Sequence, residues 1–275
     1  MKTILVPTDF SQMANNSVLY ALKIAKKNKA QLLLLHTYEL PILSMQPFPF
    51  DASNLYKTID LDEFEVFKDN LKVLRKIAEE NNVEDVPLFH KLSMGDLNYN
   101  INETVKKENV DMIVVATSGG QDFFSKLVGS NTDSVIISSK VPVIVLPKDF
   151  DVNDPVETIG FTTRFREKDK KALQSTIEFA ESLGLRIKCM HAQTEADFDH
   201  QIVSQWENEF KNHEVSFFVY PSDDVFETIE EFITHQEIDM LAMVTYKRDF
   251  LEELFTTRFT QKVTHKVAIP VLVLQ

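Results

Sequence analysis

Met112-Ile-Val-Val-Ala116-Thr-Ser-Gly119-Gly120-Gln-Asp-Phe-Phe-Ser-Lys-Leu-Val-Gly129-Ser130-Asn131-Thr132, with the run Val141-Pro-Val-Ile-Val-Leu146 that follows it, holds three of the six glycines in a chain of 275 residues. Glycine reaches positive φ without strain and lets a backbone approach a ligand, so this concentration marks a loop with special conformational demands. On one side stands the apolar strand-like run Met112 to Ala116. On the other, a segment from Ser130 reads as a helix leading into the β-branched run. Strand, glycine loop, helix and strand make a βαβ unit, and the helix N-terminus offers unpaired N–H groups and partial positive charge where a phosphate binds. The hydroxyls of Ser130 and Thr132 either cap that helix or donate to phosphate oxygens.

Outward from the loop, the same alternation fills the preceding chain. Ile4 to Thr8 reads as a buried strand, Asp9 to Ser11 as a turn and helix cap, and Ala14, Val18, Leu22 and Ala25 as one helix face. Gln31 to His36 is a second strand, Phe64, Phe67, Leu71, Leu74 and Ala78 recur at helical spacing, and Val86 to His90 is a third strand. Gly95-Asp96 opens a helix carrying Ile101 and Val105. Continuous apolar strands alternating with helices imply a parallel sheet covered on both faces, a doubly wound, Rossmann-like α/β fold. Its ligands sit at the carboxyl ends of the strands where strand order reverses, which brings Asp9, Thr37 and the Gly119 to Ser130 loop to one crevice.

The chain then repeats itself. Thr3 to His36 aligns without a gap at an offset of 155 with Thr158 to His191. Asp111 to Thr117 aligns at an offset of 128 with Asp239 to Thr245, and Val141 to Leu146 matches the segment ending Pro270-Val-Leu-Val-Leu274. The 27-residue difference between the offsets is extra chain in the Leu40 to Phe67 region. Asp149 to Pro155 reads as the linker, giving domains 1–148 and 149–275.

Composition sets outer limits. Hydrophobic residues make up 44% and charged residues 26%, as in globular proteins. A net charge of −13 argues against nucleic acid or acidic lipid as a partner. The first 148 residues carry 16 basic and 18 acidic side chains and the remainder 13 and 24, so an anionic ligand is less repelled by the first half. No membrane span or leader is visible, and a cytoplasmic protein is expected. Cys189, the single cysteine, reads as a buried strand thiol. None of the seven histidines pairs with another His or Cys at ligand spacing, so no metal site built by protein alone is expected. No GK[ST] follows a glycine loop, no GxGxxG follows the first strand, and neither nucleophile elbow nor triad is found, so no catalytic residues are assigned.

Both halves resemble the universal stress protein A family, and together they look like a tandem member. The marks, in order, are Ile-Leu-Val-Pro-Thr-Asp9-Phe-Ser11, His36 closing the second strand, Gly95-Asp96 before the third helix, and Pro142-Val-Ile-Val in the last strand. The loop of the ATP-binding subgroup, glycine, two residues, glycine, nine residues, glycine, serine or threonine, reads here Ala116, Gly119, Gly129, Ser130, with alanine for the first glycine. The resemblance implies two tandem domains of the adenine nucleotide alpha hydrolase-like fold, packed as a pseudo-dimer through their last strands. It implies that Asp9 and the backbone at Pro7 and Thr8 contact adenine or ribose, that Thr37 lines the base pocket, and that Ala116, Gly119, Gly129, Ser130 and Asn131 belong to the phosphate loop. The ligand would be ATP, with any Mg or Mn carried by its phosphates. The role implied is a nucleotide-dependent sensor or regulatory module with one competent site in the first half, open to a protein partner or a homodimer. The alternatives are a nucleotide-independent interaction protein and a slow ATPase.

The second half departs from the pattern. Arg164 stands opposite Asp9, Val244 opposite Ala116, Lys247 opposite Gly119, Thr257 opposite Gly129 and Arg258 opposite Ser130. No glycine remains from Thr245 to Thr260. Two readings follow: a side-chain anion site made by Arg164, Lys247, Arg248 and Arg258, or, favoured, solvated charges over a closed pocket.

Overall fold

A computed structural model of the chain describes residues 2–39, 52–117, 135–136, 138–194, 198–244 and 269–275. They form two compact units, Met1–Val115 and Ala116–Gln275.

In the first unit, β1 (Thr3–Pro7) leads through α1 (Gln12–Asn28) to β2 (Gln31–Tyr38), then through α2 (Ala52–Glu80) to β3 (Leu88–Met94) and through α3 (Leu97–Lys107) to β4 (Met112–Thr117). The strand order is β3-β2-β1-β4, all parallel, so the chain steps outward twice and then returns to the far side of β1. That reversal is the switch point of a doubly wound sheet. The strands form because both faces are covered: Ile4, Leu5, Val6 and Leu32 to Leu35 are all buried, which only a sheet between helix layers allows. On β3, the His90 ring meets Phe67 of α2 while the Lys91 ammonium donates to the Thr104 hydroxyl of α3, so α2 and α3 lie on opposite faces.

The second unit contains β5 (Val143–Pro147), β6 (Thr158–Thr162), α4 (Glu167–Leu183), β7 (Arg186–Gln193), α5 (Gln201–Glu209), β8 (Val215–Pro221), α6 (Val225–His235), β9 (Met240–Val244) and β10 (Val271–Leu274). Its strand order is β5-β10-β9-β6-β7-β8. β10 runs antiparallel to β5, with Val271 opposite Val145 and Val273 opposite Val143. The last strand of the first repeat thus lies beside the last strand of the second, as the resemblance implied.

The two offsets hold through the structure. β1, α1 and β2 map onto β6, α4 and β7 residue for residue at 155, and α3 onto α6 at 128. Even the fastenings repeat. Asp111 accepts the Thr3 amide at 2.7 Å, and Asp239 accepts those of Glu157 and Thr158 at 2.9 Å, each tying the fourth strand of its repeat to the start of the first. Asp96 caps α3 through Tyr99 N, and Asp224 caps α6 through Phe226 N. α1 ends on Lys29 at φ 51° and α4 on Gly184 at φ 71°, the same left-handed stop.

Three details differ from the sequence reading. β3 begins two residues after Val86. Phe64 is exposed although Phe67, Leu71, Leu74 and Ala78 of the same helix are buried. The extra chain of the first repeat is largely helix, since α2 has 29 residues where α5 has 9.

Candidate functional site

The site is built on the turn between β1 and α1. Its geometry follows from one hydroxyl: buried Thr8 accepts the Phe10 amide through Oγ1 at 3.0 Å, closing a tight turn. Exposed Asp9 accepts the Ser11 amide at 2.9 Å, and Ser11 accepts the Ala14 amide at 3.2 Å as the cap of α1. The turn forces Phe10 to φ 61°. A bulky residue in that region carries strain of about 1–3 kcal/mol and persists only where its surroundings hold it. Here the Phe10 ring packs 4.9 Å from His36 and 5.7 Å from Phe67. His36 Nδ1 lies 2.7 Å from the Thr8 carbonyl. A carbonyl only accepts, so Nδ1 carries the hydrogen of this contact.

The second repeat builds the same turn on the same Thr-x-Phe and His frame, with different side chains securing it. Thr163 Oγ1 accepts the Phe165 amide at 2.8 Å, Phe165 stands at φ 55°, and His191 Nδ1 lies 2.8 Å from the Thr163 carbonyl. Matched histidines therefore serve matched architecture. With Arg164 in place of Asp9 and Arg166 in place of Ser11, the local acceptors are gone, and Asp169 replaces them. It is fully buried on the first turn of α4, and its Oδ2 accepts the Arg164 amide at 2.7 Å, the Arg166 amide at 3.2 Å and the Thr163 hydroxyl at 3.2 Å. The first repeat has Ala14 at that position. Asp169 Oδ1 is buried with no hydrogen-bond partner among the described residues.

At the carboxyl ends of β6, β7 and β9 the second unit holds a cavity of about 300 Å³. Thr162, Thr163, Arg164, Ala192 and Val244 all line it. By the two offsets they are the counterparts of Pro7, Thr8, Asp9, Thr37 and Ala116. Every sequence-derived candidate within the described residues thus has its counterpart on the wall of one cavity. In the first repeat, Pro7 ends β1, Thr8 and Asp9 form the turn, half-buried Thr37 stands opposite Ser93 near the end of β2, and Ala116 stands near the end of β4. Gly119, Gly129, Ser130 and Asn131 lie outside the described residues, as do Lys247, Arg248 and Arg258. The described residues of the second repeat leave a cavity with Arg164 and Arg166 on its wall, while the loop from Thr245 to Thr260, on which the reading of a closed pocket also turns, lies outside the described residues.

Sequence reasoning missed Phe10, Phe165, Arg166 and Asp169. One signal was present: Thr-x-Phe recurs at Thr8–Phe10 and Thr163–Phe165 while the residue between them changes charge. Among the described residues, no group of three His, Cys, Asp or Glu side chains is placed to hold a metal, and no helix is long and apolar enough to cross a membrane.

The sequence profile of the universal stress protein family matches residues 1–147. The chain belongs to that family. A universal stress protein A homologue of Haemophilus influenzae is 30% identical over 152 residues, 53% of this chain and 96% of that protein. A universal stress protein of Methanocaldococcus jannaschii is 28% identical over 148 residues, 54% of this chain and 82% of that protein. The crystal structure of an Archaeoglobus fulgidus universal stress protein superposes with a TM-score of 0.72 at 18% identity, covering 99% of this chain and 96% of that one. At that identity the likeness shows the fold, and it extends across both repeats of this universal stress protein.

Proposed function

We propose that this universal stress protein binds ATP in its first repeat, residues 1–148, and acts in the cytoplasm as a nucleotide-dependent regulatory module of the stress response. One observation supports the reading: the second-repeat counterparts of Pro7, Thr8, Asp9, Thr37 and Ala116 gather on one cavity wall at the carboxyl ends of β6, β7 and β9, and by the duplication we carry that grouping over to the first repeat. The residues present suit an adenine nucleotide. Asp9 is exposed, and a carboxylate that has accepted one amide keeps acceptor positions for ribose hydroxyls. Gly119, Gly129, Ser130 and Asn131 are residue types whose backbone N–H and hydroxyl donors suit a cradle for phosphate oxygens. A divalent cation would arrive with the phosphates and neutralise part of their charge. Among the described residues no arginine finger or positioned base supports fast phosphoryl transfer, so at most slow hydrolysis is proposed. Nucleotide acts as a regulator by its differential affinity for two conformations, which a protein partner then reads.

Equilibrium binding of labelled ATP with magnesium tests the proposal. One mole should bind per mole of chain, Gly129→Val should abolish binding with far-UV circular dichroism unchanged, and Asp9→Ala should weaken it about tenfold, the loss of a charge-assisted hydrogen bond worth roughly 1.5 kcal/mol. Unaltered binding by Gly129→Val would place the nucleotide elsewhere.

A further inference from the structure

We propose that the cavity of the second repeat is a separate site for a small amphiphilic anion, an apolar body carrying one carboxylate or phosphate head. The proposal does not rest on nucleotide binding in the first repeat. The cavity has two chemistries in two places. Its interior is largely apolar: Met190, Ile229, Met243 and Val244 are buried side chains that line it, beside buried Thr163 whose hydroxyl is engaged by the Phe165 amide and Asp169, and methionine adapts its shape to whatever apolar body enters. Its rim carries Arg164 and Arg166, both exposed on one turn, and the described lining residues include no aspartate or glutamate. A guanidinium carries five donors in a planar fork that matches a carboxylate or phosphate. A head held at the rim with a tail directed inward satisfies both regions at once.

Comparison of the repeats sharpens the class of ligand. On the same turn, the first repeat presents Asp9 and Ser11 where the second presents Arg164 and Arg166. The polarity of the rim is inverted while the backbone beneath it is kept, because Asp169 secures from inside the turn that Asp9 and Ser11 secure locally. That substitution frees both rim positions for cations without losing the turn. A nucleotide fits this site poorly, since no glycine remains between Thr245 and Thr260 to bring a backbone against phosphates, and about 300 Å³ is at the small end of ligand pockets. The acidity of residues 149–275 opposes an anion at long range, but salt screens charges beyond about 8 Å, which leaves the rim arginines to decide binding.

The molecule contains its own reporter. Trp206 is the single tryptophan. It is buried 5.1 Å from the Phe165 ring, and Phe165 lies 5.8 Å from Phe198 on the cavity wall. In the full-length chain, octanoate and hexyl phosphate should each change Trp206 emission saturably, while neutral octanamide at equal concentration should not; the stronger of the two identifies the head group. The double variant Arg164→Gln/Arg166→Gln should weaken binding at least tenfold, and Ala192→Phe, which fills the cavity from a half-buried position, should abolish it. ATP should not displace octanoate, and Gly129→Val should leave octanoate binding intact whatever it does to ATP. Equal responses to octanoate and octanamide, no saturation with either anion, binding that survives Ala192→Phe, or displacement by ATP would each overturn the proposal.

Discussion

Asp169→Ala removes the acceptor that holds the turn of the second repeat. Its Oδ2 takes one short bond, 2.7 Å to the Arg164 amide, and two longer ones, 3.2 Å to the Arg166 amide and 3.2 Å to the Thr163 hydroxyl. A hydrogen bond to a charged group contributes about 1.5–3 kcal/mol net, and the two longer ones belong at or below the bottom of that range. Against this, alanine removes the buried Oδ1, which has no partner among the described residues and costs about 1–3 kcal/mol as it stands. The two amides are only part-buried and water can reach them, which limits the loss further. The balance is a destabilisation of about 2–3 kcal/mol, roughly 30- to 150-fold in the folded-to-unfolded ratio. Urea unfolding followed by Trp206 emission measures it. The duplication supplies the control: Arg164→Asp/Arg166→Ser/Asp169→Ala rebuilds the turn of the first repeat and should recover at least half the loss. A cost for Asp169→Ala below about 1 kcal/mol, or a triple variant no more stable than the single one, would refute the role given to this carboxylate.

Gly160→Ala places a Cβ 2.8 Å from Ile238 and 2.9 Å from Phe232, both buried, and should cost about 1–3 kcal/mol by overpacking. Ile238→Ala in the same chain should recover part of that, and strictly additive effects in the double-mutant cycle would show that the two do not meet. Asp239→Ala unfastens the Glu157 and Thr158 amides from β9 and should cost about 1–2 kcal/mol, seen as a lowered urea midpoint with an unchanged slope. Burial raises the Cys189 thiol well above its ordinary 9.0 and the Tyr20 phenol above its ordinary 10.0. Both stay protonated in the folded chain while the unfolded chain ionises, so the folded state binds more protons and stability falls as pH rises past those ordinary values. Thermal melts across alkaline pH should show the decline, and Cys189→Ala should flatten the part that begins near 9.

The architecture was legible because burial on two sheet faces leaves continuous apolar runs, and because the chain says everything twice. Leu32 to Leu35 can only be a covered strand, and its gapless match to Ile187–Met190 extended the assignment to the second repeat. Boundaries were less legible: Val86 is as apolar as Leu88, and the strand starts where pairing with Leu32 starts. Phe64 shows the limit of periodicity, since a helix longer than the sheet beneath it carries its stripe past the surface it covers. At the site, residue types pointed correctly to Asp9 and Thr37 as neighbours of strand ends, but conformation left little trace. Nothing in a phenylalanine announces φ 61°, which arises from the Thr8 bond and the His36 contact together. The cavity of the second repeat leaves little mark in residue types, since its described wall is made by strand ends, by the turn after β6 and by α6, elements that the loss of glycines does not touch.

The antiparallel pairing of β5 with β10 makes the two repeats mutually dependent during folding and division. β5 comes from the first repeat yet completes the sheet of the second unit. As separate chains, two such repeats would find each other at a rate and to an extent set by their concentration. Joined by the short segment between Pro147 and Thr158, β5 meets its partner sheet at an effective concentration in the millimolar range regardless of how much protein the cell holds. A second repeat lacking β5 would leave Val271–Leu274 as an unpaired apolar edge of the kind that recruits another strand.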